Sequence, residues 1–350
     1  MADASVLRTA VIGMGKLGLL HAATFNILPG CRLIAVADKN KTILQGLKEN
    51  TDGVQAYTEH ERLLKETEPD LVAIATPTGL HVPIALDCIA RGIPVFIEKP
   101  LSLTAAQAKP LLEAVRQKPV VNMVGYMTRF LPTFRKGKEI VASGVLGKPQ
   151  MLRSSMYIGQ LFRSGKGWRY DRAQSGGGVL MTQNSHLLDL LLWYFGPVEW
   201  ISAQNTFLYS KEAEDSAHVF MHFNSGLRGF FDSSWSARHY RTPTMSIHVQ
   251  GENGTLDVGD DDVRLFLDEA SASYAKGFST WQKPDLLQGT AFDIGGANYS
   301  DQAMQFVGAI RKTATVESDI QSAYAVQCVI DAAYTSAEQR GAPIQVKGAA

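Results

Sequence analysis

The stretch Val6-Leu7-Arg8-Thr9-Ala10-Val11-Ile12-Gly13-Met14-Gly15-Lys16-Leu17-Gly18 decides the fold. Its apolar run reads as a buried strand and breaks on glycines at GxGxxG spacing, after which Leu17, Leu20 and His21 begin a helical pattern. Each glycine has a separate job in such a turn. Gly13 makes the tight bend, Gly15 lets main chain come close to a pyrophosphate, and Gly18 lets the helix pack on the strand. The N-terminus of that helix offers N–H donors to phosphate oxygens. Gly13, Met14, Gly15, Lys16 and Leu17 are therefore read as a cofactor loop.

Working outward, Cys31–Ala37 is a second apolar strand, and it ends at Asp38, twenty residues after Gly18. A carboxylate there accepts hydrogen bonds from ribose hydroxyls and repels a 2′-phosphate, which favours NAD. Lys39 beside it leaves NADP open. The alternation continues with strands at 54–57, 71–75, 95–97 and 120–124. Helices fall between them, with Thr58/Glu61 and Thr104/Gln107 as capping pairs. Strands alternating with helices imply a parallel, doubly wound sheet with right-handed crossovers. Two strand ends carry unusual residues: Thr76-Pro77-Thr78-Gly79-Leu80-His81 and Glu98-Lys99-Pro100. Proline at 100 keeps Lys99 out of helical geometry and so directs its ammonium. A lysine at the mouth of a nucleotide crevice is a candidate acid or base.

Composition narrows the partners. Acidic and basic residues balance at 34 each, so no positive field exists to hold nucleic acid or an anionic membrane. Cys31, Cys88 and Cys328 lie far apart without a CxxC pair, as suits reduced thiols in a cytoplasm. No apolar run is long enough to span a bilayer, and no residue cluster has metal-ligand spacing; Asp260-Asp261-Asp262 reads as a solvated turn. No metal is expected.

These motifs, together with Trp168-Arg169 and with Gly176-Gly177-Gly178 followed by His186 and Asp189, resemble the glucose-fructose oxidoreductase and inositol dehydrogenase family, Gfo/Idh/MocA. The resemblance covers nearly the whole chain. It implies an N-terminal Rossmann domain over 1–124 and a C-terminal α+β domain with a largely antiparallel open sheet over 125–350. It also implies that Lys99 lies beside nicotinamide and the substrate hydroxyl, and that His186 reaches into the substrate pocket. Thr76, Pro77, His81, Glu98, Trp168 and Arg169 are then cofactor neighbours. One departure stands out: many members have aspartate where this chain has Thr182, and glycine where it has Asn184. Thr182 cannot supply that charge, although its hydroxyl can hydrogen-bond toward His186 or substrate.

The C-terminal two thirds carries a helix from about 183 to 194, then period-two strands at 217–223, 228–234 and 245–250. Residues 271–298 show no period and read as a loop over the site, an oligomer arm or a surface excursion, and 320–338 is a closing helix. The expected function is hydride transfer between NAD(P) and a secondary alcohol or ketone of a sugar, nucleotide sugar or cyclitol. His186 takes or gives the hydroxyl proton while Lys99 hydrogen-bonds the same oxygen, or the reverse. Tyr126, Tyr157, Thr182, Asn184 and His239 are candidate substrate contacts. Two alternatives are a redox-neutral NAD-using glycoside hydrolase and a catalytically weak regulatory protein. By resemblance the chain is a homodimer or homotetramer.

Overall fold

In a computed structural model, which describes residues 6–165, 167–271, 273–289 and 292–348, the chain forms two units. The first takes in Met1–Tyr126 and Thr290–Tyr324, the second Met127–Gly289 and Ala325–Ala350.

The first unit alternates strictly: β1 (Leu7–Ile12), α1 (Lys16–Ile27), β2 (Cys31–Ala37), α2 (Lys41–Asn50), β3 (Gln55–Tyr57), α3 (His60–Thr67), β4 (Leu71–Ile74), α4 (His81–Ala90), β5 (Val95–Ile97), α5 (Ala105–Gln117) and β6 (Asn122–Val124). All six strands are parallel in the order β3-β2-β1-β4-β5-β6. Their apolar runs follow from burial on both faces, and every residue of β4 is fully buried. The order reverses between β1 and β4, the switch point where a dinucleotide lies in such sheets. One capping expectation fails: α3 begins after Glu59 with no side-chain cap, so Thr58 and Glu61 form no box there. Thr104 does cap α5, accepting the Gln107 N–H at 3.2 Å.

The second unit begins with α6 (Pro132–Ala142), β7 (Pro149–Tyr157), α7 (Arg172–Ser175), α8 (Val179–Thr182), α9 (Ser185–Phe195) and β8 (Val198–Thr206). It continues through β9 (Ser216–Phe223), β10 (Arg228–Ser234), β11 (Thr244–Gly251), β12 (Gly254–Gly259), β13 (Asp262–Leu267), β14 (Gly277–Gln282) and α10 (Lys283–Leu286). α11 (Ala297–Ile310) returns to the first unit. α12 (Ile320–Glu338) starts in the first unit and finishes in the second, and β15 (Ile344–Gln345) follows. Nine strands form one sheet, β14-β13-β12-β11-β7-β10-β9-β8-β15, antiparallel except for the β7–β10 pair. Alternate residues such as Leu152, Val219, Phe231, Ile247 and Leu256 are buried on one face, which α6 and α8 help to cover. Among the described residues no helix is long and apolar enough to cross a membrane.

Two segments differ from the sequence reading. Residues 290–324, placed there with the second domain, group with the first unit: α11 packs on α1, and the Arg311 guanidinium donates to the Gly30 carbonyl at 2.8 Å. Within 271–298, Phe278 to Gln282 extend the sheet by pairing with β13, so that part is an edge strand; Ala272, Thr290 and Ala291 lie outside the described residues.

The turn at Asp260-Asp261-Asp262 is also less solvated than its composition suggests. Asp260 accepts the Met245 N–H at 2.7 Å, and burial raises its carboxyl to about 6. A carboxyl whose folded value lies above its unfolded one binds protons more readily when folded, so stability rises as pH falls from about 7 toward 4. Asp260→Asn is expected to raise the melting temperature at pH 7.5, and the advantage should vanish near pH 4.5. Equal gains at both pH values would show that charge at this position has no part in it.

Candidate functional site

The ends of β1, β2, β4 and β5 line the candidate nucleotide crevice of the first unit. Gly13, at the end of β1, has φ +91° and donates its N–H to the Ala37 carbonyl at 2.8 Å. A Cβ on it would lie 2.7 Å from the Ala75 carbonyl and the Thr76 nitrogen, so no side chain fits. Gly18 is equally closed, with the Gly13 oxygen 1.7 Å from its ideal Cβ. Gly15 is the opposite case: nothing lies within 4 Å of its Cβ position. Two glycines are thus explained by packing of the chain on itself, and the third leaves open space at the start of α1.

That helix has no side-chain cap and no acid in its first turn. Its first N–H groups lack an intrahelical partner, which suits an anion. Lys16 is exposed and Leu17 half-buried beside them, while Met14 is buried. Asp38 accepts the Met14 N–H at 2.6 Å through one oxygen and the Asn40 N–H at 2.7 Å through the other. A carboxylate has about four acceptor sites, so two main-chain donors leave capacity for ribose hydroxyls. Lys39 turns to Glu59 at 3.8 Å, and both are largely in solvent.

At the end of β4 the Thr76 hydroxyl is buried without a hydrogen-bond partner, and Pro77 beside it is exposed. An unsatisfied buried hydroxyl costs about 1–3 kcal/mol, and a ligand polar group there would recover it. Open space at Gly15, an orphaned hydroxyl at Thr76 and spare acceptors on Asp38 together fit a dinucleotide.

His81, expected as a cofactor neighbour, has both ring nitrogens engaged within the first unit. Its ring is buried, with Nε2 2.9 Å from the Thr76 carbonyl and Nδ1 2.9 Å from the Pro100 carbonyl, so it staples the β4 end to the β5 end. Burial holds it below the ordinary imidazole range, against the pull of the two carbonyls. Glu98 is likewise committed inside the unit, its carboxylate 2.6 Å from His21 Nε2. Lys99 is half-buried at the end of β5, and its main-chain N–H donates to Glu98 at 3.2 Å. Tyr126 is 1% exposed, which places its ring in the core.

In the second unit the glycine run serves packing. A Cβ on Gly177 would meet the Tyr334 hydroxyl at 1.8 Å, and one on Gly178 the Glu214 carbonyl at 2.0 Å. Glu214, deeply buried, accepts N–H groups of Gly178 and Leu180 at 2.8 and 2.9 Å and the Tyr334 hydroxyl at 2.9 Å. It thereby caps α8. Thr182 donates its hydroxyl to the Gly178 carbonyl at 2.8 Å, a back-bond within its own turn. Asn184 donates its amide to the Ser233 hydroxyl, which in turn donates to the Ala217 carbonyl at 3.1 Å. That relay leaves Asn184 Oδ1 as a buried acceptor with no partner. His186 is 5% exposed in the first turn of α9.

One turn on, Asp189 forms a two-pronged ion pair with Arg129, Nε to Oδ2 at 2.7 Å and Nη2 to Oδ1 at 2.5 Å, both side chains buried. Burial pushes the Asp189 carboxyl up, and Arg129 pulls it back.

The remaining expected residues lie in the second unit. Tyr157 lies on the open face of the sheet and donates its hydroxyl to Asp232, which also binds His218 at 2.9 Å; burial and Asp232 raise the phenol. His239 is exposed on the loop after β10 with φ +72°. Trp168 is half exposed with the Arg169 guanidinium 5.1 Å over its ring, at an open groove of about 480 Å³ that Tyr170, Asp171, Gln174 and Glu212 also line. Sequence reasoning missed Arg129, Glu214 and Ser233, whose partners lie between 16 and 120 residues away and leave no local pattern.

Among the described residues one further group, His60, Glu61 and Asp87, brings ligand-type atoms within 4.8 Å of one another. Its histidine nitrogens face the two carboxylates at 3.3 and 2.8 Å, which explains the cluster without an ion.

Comparison with known proteins agrees with the fold. A model of the oxidoreductase family with NAD-binding Rossmann fold matches residues 7–126, and one of the GFO/IDH/MocA C-terminal domain matches 134–257. The chain is 28% identical over 268 residues to a myo-inositol 2-dehydrogenase of Thermotoga maritima, covering 75% of each. It is 25% identical over 349 residues to the scyllo-inositol 2-dehydrogenase (NAD(+)) of Bacillus subtilis, covering 97% of this chain and 96% of that one. A levoglucosan dehydrogenase solved with NADH and levoglucosan shares the fold at TM-score 0.87 and 20% identity, over 98% of this chain and 99% of its own. The chain therefore belongs to the GFO/IDH/MocA family of oxidoreductases, with an NAD-binding Rossmann domain ahead of the family's C-terminal domain.

Proposed function

We propose that this protein is an NAD-dependent dehydrogenase acting on a secondary alcohol of a cyclitol or sugar, with Lys99 and His186 handling the hydroxyl proton. The carrying observation is the set of strand ends in the first unit: an open main chain at Gly15, the unpartnered Thr76 hydroxyl, and Lys99 following at the β5 end. Relatives named as inositol dehydrogenases support the substrate class. Bound NAD supplies the hydride acceptor. Asp38 accepts ribose hydroxyls, and the start of α1 receives the pyrophosphate. His186 takes the alcohol proton, and Lys99 hydrogen-bonds the substrate oxygen so that charge developing there is stabilised. Asn184 Oδ1, an acceptor by its Ser233 relay, receives a donor such as a sugar hydroxyl.

The test follows absorbance at 340 nm with NAD or NADP across cyclitols, free sugars, glycosides and nucleotide sugars. Reduction of NAD by one cyclitol or sugar class supports the reading. Glycoside cleavage without net NADH would replace it with the redox-neutral hydrolase.

The chain is further read as a homo-oligomer. The open face of the sheet carries Phe230 at 44% exposure directly opposite Phe220, whose ring lies 5.5 Å from that of Trp200. A two-fold axis sets such a patch against its own copy. Phe230→Asp is expected to shift the mass measured by light scattering toward the monomer; an unchanged mass would remove this face from the assembly.

A further inference from the structure

One buried titratable pair in the first unit has no part in the chemistry above. His21 stands in the second turn of α1, 3% exposed, its ring 4.8 Å from that of Phe96 and 6.3 Å from that of Phe25. Its Nε2 lies 2.6 Å from Glu98 Oε1, and the other oxygen of Glu98 accepts the N–H of Lys99. Glu98 itself is 5% exposed. Its slot is closed by Gly125, whose Cβ position lies 3.2 Å from the carboxylate.

Four titratable groups face this carboxylate: His21 from α1, His81 from α4, Lys99 from the β5 end, and Tyr299 from α11. Burial acts to raise Glu98. The hydrogen bond donated by His21 and the attraction of the Lys99 ammonium outweigh it and hold the carboxyl below the ordinary range. Without the His21 donor, burial is left to dominate, and an unpaired buried carboxylate takes up a proton rather than stay charged.

We propose that His21 is a positioning residue for the reaction: by hydrogen-bonding Glu98 it keeps a fixed negative charge next to Lys99, and that charge sets the pH up to which Lys99 keeps its proton. The inference rests on Lys99 as a proton-handling group. Its sign follows directly. An anion beside an ammonium favours the charged form, so its loss lets Lys99 give up its proton at lower pH.

The experiment compares the pH dependence of kcat/KM for wild type, His21→Leu, His21→Gln, Glu98→Gln and the double variant His21→Leu/Glu98→Gln. The alkaline limb is expected to move down by about one pH unit or more in both His21→Leu and Glu98→Gln. The double variant should move no further than either single one, because both changes remove the same charge. His21→Gln, whose amide can place a donor near the former Nε2, should restore the wild-type limb. In the protein without cofactor, infrared difference spectra of His21→Leu at neutral pH should show the carbonyl stretch of a protonated carboxylic acid that is absent from wild type. If His21→Leu does not fold, His21→Asn, too short to reach Glu98, carries the same expectation. A limb that moves in Glu98→Gln but stays in place in a folded His21 variant overturns the inference alone. Turnover retained by Lys99→Ala overturns the reading beneath it, and the inference with it.

Discussion

Lys99→Ala is expected to lower kcat by about 10²–10⁴-fold, the range contributed by a positioned acid or base. Binding of NAD, measured by calorimetry, should stay close to wild type, because the proposed dinucleotide contacts at Gly15, Asp38 and the start of α1 do not involve the Lys99 side chain. The melting temperature should also hold: Lys99 is only half-buried, at the end of a strand whose Val95, Phe96 and Ile97 supply the packing. Lys99→Arg separates charge from geometry, since a guanidinium keeps the positive charge but presents a wide planar fork in place of a compact ammonium. It should recover little of the lost turnover. A drop in kcat smaller than tenfold in Lys99→Ala would remove Lys99 from the proton-handling pair and leave His186 to act without it.

Arg129→Ala carries the largest expected stability effect. Asp189 is fully buried and its ion pair with Arg129 is two-pronged, so removing the guanidinium leaves a charge with no compensation at a cost of about 3–5 kcal/mol. Asp189 lies one turn after His186 on α9, so the loss is also expected to loosen the helix that carries the proposed base. Chemical denaturation would read the first effect, and the fall in kcat at temperatures where the variant is still folded the second. Replacing both partners by leucine should restore most of the stability, because a buried ion pair is often worth little more than an apolar pair of similar volume. A single Arg129→Ala variant as stable as wild type would mean that the pair is solvated in solution.

Where a structural decision depends on neighbours in the chain, the residues announced it. Gly13, Gly15 and Gly18 mark the strand, turn and helix because each acts within a few positions of itself. Cys31–Ala37, Val95–Ile97, Arg228–Ser234 and Ile320–Glu338 begin and end where their apolar periods do. Lys99 and Asp38 could be singled out as candidates for the same reason: Asp38 follows directly on β2, and Lys99 stands two residues past the end of β5. The family resemblance adds His186 as a further candidate.

Local pattern misled where the deciding partner was distant. Thr58 and Glu61 have capping spacing, yet the helix starts after Glu59. His81 and Glu98 sit in a cofactor motif and are spent on Thr76, Pro100 and His21. The return of 290–324 to the first unit depends on α11 meeting α1, some 270 residues earlier, which no window of periodicity covers.

Periodicity and turn chemistry are short-range, set by backbone sterics and by which face of one element is apolar, and so the parallel sheet, the glycine loop and the strand ends can be read from the chain alone. The charge state of Glu98, the free acceptor on Asn184 and the anchoring of α9 depend on which polar groups come together once water is removed. Burial makes most such groups find a partner, and the choice among partners exists only in the folded chain.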